Sequence, residues 1–244
     1  MKTKQFFFAV LIALLTFSQT ACVSQNTNTK LINRDFPVTA FSAIDNNTVG
    51  NIEFTQSPNH SVSVEGDEEM VNNLLVKVQD NQLQLSNKKD LKKIFGNRKS
   101  KKLTIYISSP QLTAIQSDGV GNIRLKGTLN TPKLEITSNG VGNIKSENLV
   151  AENIIIDSEG VGNIELIGKT TSLSVSSEGV GNINTRELIA RNVKIDSDGV
   201  GNTSCYASES VDINAGGVGN VRYYGNPQTK NIRKGGIGKV KAGE

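Results

Sequence analysis

The stretch Gly119-Val120-Gly121-Asn122-Ile123 decides the fold, because versions of it return along the rest of the chain. With the residue before it, the phrase occupies 118–123, 139–144, 159–164, 178–183, 198–203, 216–221 and 235–240. Its first glycines are 21, 20, 19, 20, 18 and 19 residues apart, and a weaker copy, Val49-Gly50-Asn51-Ile52, lies upstream. Self-similarity at about 20 residues marks a repeat architecture in which each repeat is one structural unit.

Short strands precede the phrases and show what one unit looks like. Leu134 and Ile136, for example, alternate with polar residues, as in a half-buried strand. If each turn lies on the last, like residues stack about 4.8 Å apart, and six steps give a column about 29 Å long. We expect stacked aliphatic residues, including the valines of the phrase, to fill the bore. We also expect a structural ladder of hydrogen-bonded amides at Asn122, Asn143, Asn163, Asn182, Asn202 and Asn220.

These patterns predict an all-β protein, a single-stranded parallel β-helix with rungs of about 20 residues, preceded by an irregular β-rich N-terminal portion. The regular repeats are assigned to 117–244 and the irregular portion to 36–116, with one continuous domain from about residue 36. Leucine-rich repeats fit less well, because their backbone-bonding asparagine is replaced by Asp or Glu in most copies. Calcium-binding nonapeptide repeats need a period of nine.

The first 21 residues are predicted to be a signal peptide. Lys2 and Lys4 precede an apolar run, 6–17, that is too short to span a bilayer. Cys22 follows Ala21 and is a candidate lipid acceptor of a bacterial lipoprotein, although Gln19 stands where that pattern wants an aliphatic residue. The alternative is ordinary cleavage near Ala21. If Cys22 is lipidated, residues 22–35 would form a flexible tether.

The composition narrows the classes of partner and of catalytic or metal site that the chain can have. The net charge is only +4, which gives no general case for a nucleic-acid partner, and His60 is the single histidine, so a zinc site lacks ligands. Cys205 is interpreted as a small, partly buried residue and not as a nucleophile. The segment 88–102 carries eight lysines and arginines against one aspartate, which is typical of a solvated loop or, alternatively, of an anion-binding surface. We expect no catalytic residue, no metal site and no cofactor.

One column of acidic residues is the strongest candidate for a cation-binding or catalytic site. Asp118, Glu159, Glu178 and Asp198 occupy the same position in their repeats. Stacked carboxylates could bind a hard cation weakly, or two of them could act on a sugar as acid and nucleophile. The even spread over the rungs favours solvated turn residues instead, because an active site gathers unlike groups in one place.

The repeated Gly-Val-Gly-Asn-Ile after Leu-x-Ile strands resembles the bacterial family of auto-transporter adhesins with a head GIN domain. The runs Phe41-Ser42-Ala43-Ile44 and 109–115 (SPQLTAI) fit the family too, and the likeness covers about 36–240. The resemblance implies a right-handed β-helix, export to the cell envelope and an adhesive role. It supplies no catalytic residue.

Two functions from different classes remain open. The first is an exported, non-enzymatic adhesin or scaffold at the envelope, as an outer-membrane lipoprotein or in the periplasm or at the cell surface. Its partner would be an envelope or extracellular polysaccharide or protein, and only a lipid anchor would touch the membrane. The alternative is a polysaccharide-processing lyase or glycosidase on the same coil. Self-association is a further option, because coil ends expose unpaired strands unless 31–116 and the polar tail 239–244 cover them.

Overall fold

The computed structural model describes residues 30–89 and 102–243. It is a nearly all-β solenoid of about six turns, which confirms the predicted fold class. The described residues include one short helix, α1, which spans Glu68–Asn73. No helix in the described ranges is long and apolar enough to cross a membrane. The strands are β1 Leu31–Phe36, β2 Ala43–Asn46, β3 Asn51–Gln56, β4 Ser61–Asp67, β5 Leu74–Gln79, β6 Gln82–Asn87, β7 Leu103–Ser109, β8 Ala114–Ser117, β9 Ile123–Ser138, β10 Ile144–Ser158, β11 Ile164–Glu165, β12 Gly168–Ser177, β13 Ile183–Ser197, β14 Thr203–Ala215, β15 Val221–Tyr224, β16 Thr229–Lys234 and β17 Val240–Ala242.

Successive turns lie directly on one another as parallel strands in register. Strand β10 pairs with β9 through Ile144 and Ile123 and again through Ile156 and Ile136, and the same registers continue up the stack. Each inward position therefore meets its counterpart one turn below. The resulting columns are almost fully buried and form one continuous core. The period-two pattern of the sequence places these side chains inside.

The weak upstream copy of the phrase is the first turn of this coil. The copy follows β2 and runs into the start of β3, and these two strands pair in parallel with β8 and β9 of the next turn. Asn51 thereby lies beside Asn122, 71 residues further along the chain. The regular stack thus begins inside the segment 36–116, and the chain leaves it after residue 56 and has rejoined it by β8.

The excursion closes the N-terminal end of the coil. One sheet extends from the first turn through β7, β4 and β1, and another through β6 and β5. Helix α1 packs against β1 and β4 and buries Met70 and Val71 in the same core as the turns. Strand β1 begins at Leu31, so ordered structure starts within the predicted tether 22–35.

The C-terminal end has no such cover within the described residues, and lysines stand at its inward positions. In β16, Lys230 pairs with the buried Val211, and Lys234 pairs with Ala215. They continue two inward columns that are apolar or small in the turns below. Inward-pointing lysines on an edge strand discourage pairing with another chain.

The expectation that the valines of the phrase fill the bore is wrong. They do stack, through parallel bridges such as Val141 with Val161, but Val161 remains 51% exposed. The alternation of each strand continues through the phrase, so Ile123 faces inward and the valines and asparagines face outward. Glycines take the remaining inward positions. An added Cβ at Gly162, where φ is +156°, would overlap the carbonyl oxygen of Gly142, so only glycine lets neighbouring turns approach this closely.

Candidate functional site

A straight row of half-exposed aliphatic side chains runs along one corner of the coil. We call this row the valine ridge. Residues Val120 to Val218 of the ridge are 46–51% exposed, and Ile237 at its end is 75% exposed. Seven steps of about 4.8 Å make it about 34 Å long. A contiguous apolar surface of this kind is typical of an interaction site. The ridge consists of Val49, Val120, Val141, Val161, Val180, Val200, Val218 and Ile237.

An asparagine ladder runs beside the valine ridge. In each step one Oδ1 accepts two hydrogen bonds from the next asparagine, one from its backbone N–H and one from its Nδ2. Between Asn143 and Asn163 these distances are 2.9 and 3.0 Å, and Lys239 ends the ladder by donating its backbone N–H to Asn220 Oδ1. Because Nδ2 carries two hydrogens, one N–H per turn remains directed to other partners. The ladder comprises Asn51, Asn122, Asn143, Asn163, Asn182, Asn202 and Asn220.

The acidic column lies on the other side of the valine ridge. Its members are exposed, and Asp118 accepts hydrogen bonds from Gln116 Nε2 at 2.9 Å and from Asn139 Nδ2 at 2.8 Å. In the turn below, burial and then the charge of Asp118 raise the pKa of Asp45. Among residues 30–89 and 102–243, no group of three or more His, Cys, Asp or Glu could hold a metal ion. The carboxylates Asp118, Glu159, Glu178 and Asp198 are in line along the coil, with Asn139 at the same position in the turn between Asp118 and Glu159.

A cationic and aromatic cluster near the C-terminal turns was missed by sequence reasoning. The guanidinium carbon of Arg186 lies 4.2 Å from the centroid of the Tyr224 ring. Arg222 precedes Tyr224 by two residues on the same face, and Lys241 stacks on Arg222 in the last turn. The signal in the sequence was the alignment of Arg222 and Lys241 one repeat apart, which the phrase columns did not include.

Of the remaining residues singled out in the sequence, His60 and Cys205 pack within the fold, and the others lie mostly outside the described ranges. His60 Nδ1 accepts the backbone N–H of Phe41 at 3.4 Å, and the two rings meet edge to face at 5.1 Å. Cys205 is fully buried, and this burial raises the pKa of its thiol to about 12, so it stays protonated and unreactive. Cys22 and most of the basic segment 88–102 lie outside the described residues.

Known proteins are similar to this chain in sequence and in fold. Residues 40–227 match the family described as "putative auto-transporter adhesin, head GIN domain". A solved structure named a "putative adhesin" from Bacteroides fragilis is 38% identical, with a TM-score of 0.82, over 87% of this chain and 97% of that one. No protein among those with curated functions matches.

Two solved structures from Parabacteroides distasonis have the same fold. One, named a "putative lipid binding protein", is 25% identical, with a TM-score of 0.61, over 88% of this chain and 98% of its own. The other, named a "putative adhesin", is 20% identical, with a TM-score of 0.63, over the same shares, and shows the fold alone. The family match spans more than half of the sequence, and the phrase, the ladders and the coil are all present: the chain belongs to the head GIN domain family of auto-transporter adhesins.

Proposed function

We propose that this protein is an exported, non-enzymatic adhesion module of the bacterial cell envelope. The observation that carries the proposal is the valine ridge, which offers the same apolar contact at every turn for about 34 Å. Many weak contacts spaced evenly along a rigid coil suit an extended partner, because each additional contact forms at high effective concentration. The family and the neighbour from Bacteroides fragilis, both named for adhesion, support this function.

The asparagine ladder makes the ridge a rigid surface. Side chains that are already held by neighbours lose little conformational freedom when a partner binds, and this lowers the entropic cost of contact. The hydrogen bonds from Asn122 to Lys239 fix every turn relative to the next. Export and anchoring belong to the same proposal and rest on the leader 1–21 and on Cys22.

Adhesion is tested with the mature chain coated on beads and presented with intact bacterial envelopes and extracellular matrix. The variant Val161→Lys/Val180→Lys should abolish bead attachment, because it places two charges on adjacent turns of the ridge. The control Ile155→Lys/Ser174→Lys adds the same charges at outward positions of neighbouring strands that pair with each other. Equal attachment by the two variants would refute the ridge as the contact surface.

The alternative, a polysaccharide-processing enzyme, is tested in the same preparation. Incubation with envelope and matrix glycans should release no reducing ends and no unsaturated products while beads still attach. If highly purified protein still released these products, the enzymatic function would replace adhesion as the proposed function.

The proposed anchor has its own measurement. The intact mass of the chain purified from membranes should equal residues 22–244 plus a diacylglycerol and a fatty acid. A mass without lipid, beginning after Ala21, would refute the anchor and leave the adhesive surface unaffected.

A further inference from the structure

A column of charged residues runs next to the asparagine ladder, two residues further along each turn. We call it the charged column, and from the N-terminal end it reads Glu53, Arg124, Lys145, Glu165, Asn184, Ser204, Arg222 and Lys241. In its first half, cations meet acids. Lys126 Nζ lies 3.0 Å from Glu53, and Lys145 Nζ lies 3.0 Å from Glu165. Arg124 and Lys145 also stack in register here, but Glu53 and Glu165 on either side of them balance the two positive charges.

The second half of the charged column is different, because two cations stack without an acid. Arg222 and Lys241 are register partners on adjacent strands, and neither forms an ion pair within the described part of the chain. Like charges directly opposite each other in a sheet are destabilising. A bound anion between them would remove that repulsion.

A third cation is held in place over the same turns. Arg186 lies against the Tyr224 ring, and Tyr224 stacks in register on Tyr206 of the turn below. The backbone N–H of Arg186 donates to Asn184 Oδ1 at 3.2 Å, which fixes the start of its side chain. The guanidinium is thus positioned before any ligand arrives, and this lowers the entropic cost of binding.

Two adjoining grooves of about 470 and 340 Å³ share Arg186, Arg222 and Tyr224. The larger groove is also lined by Asn202 and Asn220 of the ladder, and no carboxylate is among the described residues that line either groove. A groove of about 350 Å³ lies at the other end of the same face, and there a carboxylate, Glu53, is part of the lining. The grooves at the two ends of this face therefore differ in charge.

We propose that the C-terminal pair of grooves binds an acidic glycan, a polysaccharide whose sugars carry carboxylate or sulfate groups. The planar guanidinium groups of Arg186 and Arg222 suit such anions, because each can donate two parallel hydrogen bonds. The unused N–H groups of Asn202 and Asn220 face the same groove and can bond to sugar oxygens. The open groove follows the ladder, so a linear polymer can continue along the coil. This inference rests on the proposed adhesive function and names its partner class.

The test measures binding of the immobilised mature chain to polygalacturonate, dextran sulfate and uncharged dextran by biolayer interferometry. We expect binding of the carboxylated and sulfated polymers, no binding of dextran, and weakening as salt screens the charges. Arg222→Ser should weaken binding about tenfold or more, which corresponds to about 1.4 kcal/mol. Tyr224→Leu should weaken it severalfold by releasing Arg186. The control Arg124→Ser removes the same charge from the charged column at the neutralised end and should leave the affinity unchanged.

Three outcomes would overturn the assignment. They are absence of binding to either acidic polymer, equal weakening by Arg124→Ser and Arg222→Ser, and equal binding of duplex DNA at matched charge. Bead adhesion separates this failure from that of the proposed function. If Val161→Lys/Val180→Lys abolishes attachment while Arg222→Ser does not, adhesion stands and the glycan site fails.

Discussion

Replacing one inward glycine by alanine should destabilise the coil strongly. In Gly162→Ala the new methyl group would overlap the backbone of Gly142 one turn below, and φ is +156° at this position. A backbone conformation reserved for glycine costs about 1–3 kcal/mol in an L-residue. Forcing an extra methyl group into a packed contact adds about 1–3 kcal/mol. We expect a loss of about 4 kcal/mol in the free energy of unfolding, a large part of the 5–15 kcal/mol of a typical domain.

Two other glycines separate the two contributions. Gly127 has a φ of +66° but open space around its Cβ position, so Gly127→Ala should cost only the conformational part, about 1–2 kcal/mol. Gly235 has open space and no positive φ, so Gly235→Ala should change the free energy of unfolding by at most about 0.5 kcal/mol, with the sign favouring the folded state. The predicted order of cost is therefore Gly162, Gly127, Gly235.

The assay is equilibrium unfolding in urea followed by far-ultraviolet circular dichroism. The shift in midpoint at constant slope gives the change in the free energy of unfolding. Equal, small effects for Gly162→Ala and Gly235→Ala would refute the close approach of adjacent turns. A cost for Gly162→Ala no larger than that for Gly127→Ala would show that conformation alone, and not backbone contact, requires glycine there.

Three further predictions concern the ladder, the core and the C-terminal end. Asn163→Ala interrupts the asparagine ladder in its middle and should cost about 1 kcal/mol in urea unfolding, since the partners it leaves are exposed to water. The buried thiol of Cys205 has a pKa of about 12, above its ordinary 9, so its contribution to stability is complete below pH 9 and is lost as pH rises toward 12. Stability measured against pH should therefore fall less steeply in Cys205→Ala. Lys230→Leu/Lys234→Ala should make the chain associate in sedimentation equilibrium, whereas Arg233→Ala on the outward face of the same strand should leave it monodisperse.

Each of these three expectations has a contradicting result. An unchanged midpoint for Asn163→Ala would show that the ladder does not contribute to the free energy of unfolding. Parallel pH profiles for the native chain and Cys205→Ala would show that the thiol is hydrated in the folded state. Association of Arg233→Ala to the same degree as the lysine variant would attribute the effect to lost net charge and not to the inward positions.

The period of the phrase was sufficient to predict the coil. A motif that returns about every 20 residues is typical of stacked repeats, and stacking in register places like residues on one another. The outward direction of the valine side chains was not predicted from the sequence, because apolar residues were assumed to be buried. Counting back by twos from the buried Ile123 would have put Gly121 inside and Val120 outside. The alternation carries that information, and hydrophobicity alone does not.

Two other features lay beyond the reach of the repeat. The first turn is separated from the second by 71 residues between Asn51 and Asn122, and sequence distance hides their contact. Arg186 falls where the pairing of β13 with β14 shifts register, between Thr185 and Ile189, so it belongs to no column of the repeat.

The central claim is that the phrase turns its valines to solvent while its glycines and the residues of the bore stay inside. Thiol labelling measures this directly in the mature chain carrying Cys22→Ser and Val161→Cys, with the buried Cys205 as an internal reference in the same molecule. We predict that one thiol per native chain reacts with a maleimide at the rate of an exposed cysteine, and that Cys205 reacts only after unfolding. Protection of the new cysteine at position 161 in the folded protein would contradict the account.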